Sequence, residues 1–63
     1  MTKLEQARTA RKMSQTELAF KAKVAQSDVS AIEHGWRVPY PNQAKRLARV
    51  LKLRPEELTE AVA

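Results

Sequence analysis

Residues 14–35, SQTELAFKAKVAQSDVSAIEHG, decide how this chain folds. Ser14 followed three residues later by Glu17 forms a capping box, in which the Ser hydroxyl accepts from the Glu17 backbone N–H and the Glu side chain reaches back to the Ser14 N–H. A helix therefore starts at Gln15. Leu18, Ala19 and Ala22 give it an apolar face, and it runs to Lys21 or Ala22. Lys23, Val24 and Ala25 break the pattern. Helical spacing resumes at Gln26 and continues to His34, with Val29, Ile32 and Glu33 facing inward. Gly35, the only glycine, stands where a left-handed residue closes a helix. Two short helices joined by three residues, with small Ala19 and Ala22 between them, predict a tightly crossed pair. A bulky residue at Ala19 would overpack that crossing.

The flanking segments extend the same architecture. Leu4, Ala7, Arg8, Arg11 and Met13 trace one stripe of a helix over about residues 3–12. The segment Trp36-Arg37-Val38-Pro39-Tyr40-Pro41 cannot be helical, because its prolines lack donors and push the residues before them to extended backbone. A fourth helix follows from Pro41 or Asn42, carried by Ala44, Leu47, Ala48 and Leu51. Pro55, Leu58, Ala61 and Val62 predict a short fifth. The fold class expected is all-α, a compact five-helix bundle in one domain over residues 1–63. Sixty-three residues leave room for one core, and one this small is only marginally stable alone.

Composition removes whole classes of function. With no cysteine and one histidine, neither a disulfide framework, a thiolate nucleophile nor a multi-histidine metal site can be built. His34 has no nucleophile beside it, and Glu56, Glu57 and Glu60 read as an acidic helix start and face, so no enzyme, metal or cofactor is expected. The N-terminus lacks an apolar leader, which points to the cytoplasm. The net charge of +5 and pI near 10.1 point to a polyanionic partner. That charge is concentrated in two blocks. Residues 1–23 hold six basic side chains against Glu5 and Glu17, and residues 37–54 hold six with no acid. With three aromatic residues, the stacking platforms of single-strand RNA binders are missing.

Arg8, the run Ser14 to Ala19, Val24, Val29, Ile32, Glu33, Gly35, Pro39, Leu47, Ala48, Leu51, Leu53, Glu57 and Leu58 occur in the order found in the phage Cro and repressor type of helix-turn-helix proteins. The chain resembles that XRE-like family from about Leu4 to Leu58. The resemblance implies a lambda-repressor-like DNA-binding fold whose second paired helix, residues 26–34, enters the major groove of double-stranded DNA. It implies a salt bridge between Arg8 and Glu33, and a phosphate contact from Gln15 at the start of its helix. Gln26 and Ser27 open the reading helix. A Gln there pairs bidentately with adenine, Ala31 one turn later can touch a thymine methyl, and Ser30 can reach a base or phosphate. Asp28 either stabilises its own helix N-terminus, the preferred reading, or accepts from cytosine. Arg37 is assigned to the phosphate backbone. Trp36 is either a second backbone contact or a lid over Pro39 and Tyr40. Lys23 and Lys52 depart from the family pattern by replacing glycine, and Ala25 by replacing a capping Ser or Thr.

The function expected is transcriptional control, in the form of a homodimeric repressor on a palindromic operator, since one such domain makes few contacts. Leu53, Pro55, Leu58 and Val62 are the candidate dimer surface, unless they only close the monomer core. A complete repressor and an excised domain fit equally. An alternative reading is the antitoxin of a toxin–antitoxin pair, which binds a partner protein and represses its own operon. A cytoplasmic, nucleoid-associated location and no membrane partner accompany either reading.

Overall fold

A computed structural model describes residues 1–62, and among them four α-helices form the scaffold: α1 (Lys3–Ala10), α2 (Gln15–Ala22), α3 (Gln26–Glu33) and α4 (Pro41–Leu51). Each end has a local cause. Thr2 caps α1, its Oγ1 accepting from the Glu5 N–H at 3.2 Å. The helix stops at Ala10, two residues earlier than its apolar spacing predicts. Lys12 turns left-handed (φ 55°), and the Met13 N–H returns to the Arg8 carbonyl. Ser14 caps α2 through the Glu17 N–H at 3.0 Å. Only this half of the predicted box forms among the described residues, because the Glu17 carboxylate lies instead beside Lys21, 3.7 Å away.

Lys23 ends α2 in the left-handed region (φ 57°, ψ 45°), which lets the Val24 N–H bond the Ala19 carbonyl and turns the chain sharply into α3. Ala25 precedes α3 and supplies no side-chain cap. Its carbonyl still accepts from Asp28 and Val29. The helix closes at Glu33, with His34 as its cap and Gly35 at φ +77°, where the Trp36 N–H reaches the Ala31 carbonyl. A left-handed residue is needed there, and glycine meets no Cβ penalty. Pro41 opens α4, where an absent N–H costs nothing.

Leu4, Leu18, Val29, Ile32, Leu47, Leu51 and Leu58 are fully buried, and Ala19, Ala22, Ala44 and Ala48 fill the gaps between helices. α2 packs on both α3 and α4, so the crossed pair is held from behind by α4. Small side chains at Ala19, Ala22 and Ala48 let these helices approach closely.

The predicted fifth helix is corrected to a single 3-10 turn, Pro55–Glu57. The residues after it satisfy their backbone groups against the N-terminus rather than along a helix. The Lys3 N–H bonds Glu60, the Leu4 N–H bonds Leu58 and the Val62 N–H bonds Met1, all at 2.9 to 3.1 Å, and Thr2 bridges Ala61. Of the four candidate dimer residues, this takes Leu58 alone out of the surface. Leu58 is a sealed core residue, Leu53 packs partly on the core, and half-buried Val62 is tied to Met1. Pro55 alone of the four is fully at the surface. No helix among the described residues is long and apolar enough to cross a membrane.

Candidate nucleic-acid interface

The outward side of the crossed pair is organised by two polar networks. The first starts in the interior. Glu33 is buried, and a carboxylate held there needs a charged partner and filled lone pairs. Arg8 of α1 supplies both through a fork: Nε donates to Oε2 at 2.5 Å and Nη2 to Oε1 at 3.2 Å. Its Nη1 donates to the Met13 carbonyl at 2.7 Å, fixing the turn between α1 and α2. Gln15 Nε2 donates to Glu33 Oε1 at 2.8 Å, and Gln26 Nε2 donates to Gln15 Oε1 at 3.3 Å. One chain of bonds thus runs from α1 through the end of α3 to the first residues of α2 and α3.

The network leaves specific valences open. A Gln amide carries two N–H donors and an oxygen with two lone pairs. Gln26 commits one donor, which leaves a second N–H and its oxygen, the pair that matches adenine N7 and N6. Gln15 commits one donor and accepts one bond, which leaves an N–H beside the free backbone amides of the α2 N-terminus, a suitable seat for a phosphate. Gln26 and Ser27 are exposed, whereas Ser30 and Ala31 are half-buried one turn further along.

The second network ties the loop to α3. Arg37 Nη1 donates to Asp28 Oδ1 at 2.5 Å, Gln43 Nε2 donates to Asp28 Oδ2 at 2.8 Å, and Arg37 Nη2 donates to Gln43 Oε1 at 3.0 Å. The Gln43 oxygen also accepts from the Tyr40 N–H at 3.2 Å, and the Arg37 guanidinium lies 4.7 Å over the Tyr40 ring. Sequence reasoning missed this cluster. Asp28 does lie in the first turn of α3, but both its carboxylate oxygens are engaged by Arg37 and Gln43, and Arg37 is held within the fold, not as a free cation. An acid, a base and an amide at positions 28, 37 and 43 carried the signal, but only the loop's path brings them together. Trp36 is not a lid. It is 74% exposed and stacks on His34, with ring centroids 4.4 Å apart. Val38 and Tyr40 are exposed beside it.

A protein-family model described as helix-turn-helix matches residues 4–58. The chain therefore belongs to the helix-turn-helix family, in its XRE, Cro/repressor form. Membership makes it a double-stranded DNA-binding domain of the transcription-regulator class, with α2 and α3 as the motif. No curated protein matches the chain.

Proposed function

We propose that the domain acts in the cytoplasm as a repressor that binds a palindromic operator as a homodimer, with α3 in the major groove and no catalytic role. The observation that carries this reading is the bond chain from Arg8 through Glu33 and Gln15 to Gln26. It fixes a phosphate-seeking amide and a base-reading amide relative to each other before DNA arrives. Preorganisation of this kind removes part of the ordering cost of binding. Gln26 and Ser27 read bases, with Ser30 and Ala31 supporting them, while Gln15 and the main chain at Trp36 and Arg37 meet phosphates. Arg37 also neutralises Asp28, so the reading helix does not carry an uncompensated carboxylate toward the polyanion. The dimer contact in this proposal is the exposed apolar loop Trp36, Val38 and Tyr40. It directly follows α3, so a two-fold axis there sets two reading helices side by side.

The test is selection of bound sites from a random duplex pool, followed by titration at several salt concentrations. The expected result is a palindrome with half-sites about one helical turn apart. Gln26→Ala then flattens preference at one or two positions and costs roughly 1–3 kcal/mol on the best site. Salt-sensitive binding without any enriched sequence would overturn the operator reading.

A further inference from the structure

At the opposite end of α2 from Gln15, Lys21, Ala22 and Lys23 face Arg46, Arg49 and Val50 of α4 across a cleft of about 380 Å³. Among the described residues no carboxylate lines it. Lys21 has Glu17 at 3.7 Å, and among the described residues Lys23, Arg46 and Arg49 have no acidic partner. Cations at the ends of helices offset the helix dipole, which places about half a negative charge at each C-terminus. The two helix ends and Glu17 together balance roughly half of the four cations, so about two positive charges remain uncompensated. Lys23 also holds a left-handed backbone (φ 57°) that costs a lysine strain and a glycine none. Its ammonium stands at the cleft despite that strain.

We propose that this cleft binds the phosphate group of a small organic phosphate of about mononucleotide size. A phosphate monoester carries close to two negative charges near neutral pH, which matches the uncompensated charge. Arg46 and Arg49 are three residues apart on one helix, hence neighbours, and guanidinium forks suit phosphate oxygens. Ala22 and Val50 supply an apolar floor for the rest of the ligand. The volume falls in the range of small-molecule sites, of order 300–1,000 Å³. Occupation would bridge α2 to α4 and draw the mutually repelling cations together.

The experiment is titration of the ¹⁵N-labelled chain with adenosine 5′-monophosphate at constant ionic strength, followed by amide shifts. The expected result is saturable shifts confined to residues 21–23 and 46–50, absent with adenosine. Arg49→Gln should weaken the fitted affinity at least tenfold. Lys23→Gly, which relieves the backbone while removing the cation, should also weaken it even as the fold becomes more stable, so loss of binding is separated from loss of folding. Shifts that grow linearly without saturating, or that adenosine reproduces, overturn the proposal. So does a random-sequence duplex that moves the same amides at lower phosphate concentration than the nucleotide, since the cleft would then be a DNA backbone contact.

Discussion

Lys23 shows how one residue can be read correctly in position and still cost the fold something. Its backbone is left-handed (φ 57°) at the α2–α3 turn, where the resemblance places glycine. Relief of that strain by Lys23→Gly should raise stability by about 1 kcal/mol, seen as a higher urea midpoint at unchanged m-value. The same reasoning holds for Lys52 (φ 57°), while Lys12 (φ 55°) carried no such signal in the sequence. The Arg8–Glu33 pair is the opposite case, a long-range contact named from the resemblance alone, 25 residues apart in the chain. What the sequence did not carry is its extension to Met13, Gln15 and Gln26. Arg8→Met strands a buried carboxylate and should cost about 3 kcal/mol or more, whereas Arg8→Met with Glu33→Leu should recover most of that loss. Chemical denaturation of the two variants distinguishes a pair that matters for burial from a pair that matters only on the surface.

At the scale of elements, apolar spacing located all four helices, because each must bury one stripe against the others. Their ends were legible where a single local group decides them, as at Ser14, Gly35 and Pro41. They were misread where the chain's later path decides them, as in α1 and after Pro55. The uncapped start of α3 has a direct consequence. Ala25→Ser should supply the missing acceptor and raise stability by about 1 kcal/mol, measurable as a shift in thermal midpoint. The loop and α3 form a coupled unit through Asp28, Arg37 and Gln43. Arg37→Gln should weaken binding to all duplexes alike by exposing the Asp28 charge, and adding Asp28→Asn should restore part of the loss. A base-selective loss in Arg37→Gln would show that its side chain reads sequence.

For the whole molecule, the chain ends are joined by a charged clamp. Lys3 Nζ lies 2.9 Å from Glu60 and 3.4 Å from Glu57. The Lys3 ammonium is raised above its ordinary 10.5, first by its hydrogen bond to Glu60 and then by Glu57. The Glu57 carboxyl is lowered below its ordinary 4.5, first by the Arg54 backbone N–H and then by Lys3. A depressed carboxyl stabilises the fold above its unfolded value and loses that contribution as pH falls through the folded one. A raised ammonium stabilises below its unfolded value and loses the contribution as pH rises through the folded one. Stability from the clamp should therefore be full between about pH 4.5 and 10.5. Lys3→Met should flatten the alkaline limb of a urea-midpoint profile and only part of the acid limb, since the Arg54 backbone N–H still holds the Glu57 carboxyl down. Beneath the same clamp Leu58 is sealed in the core, while Pro55, Thr59, Glu60 and Ala61 stay exposed.

By itself the sequence determined the helical class, the crossed pair at residues 15–34, the inward residues and the basic character, since each follows from local propensity, spacing or charge. Only the tertiary structure decided which polar atoms are spent and which remain open: Gln26 bonded to Gln15 and Gln15 in turn to Glu33, Arg37 turned to Asp28, Leu58 taken into the core, and four cations gathered around one cleft. Hydrogen bonds and charges act over a few ångströms in space, and positions 8, 33, 15 and 26, or 21–23 and 46–49, become neighbours only once the helices have packed.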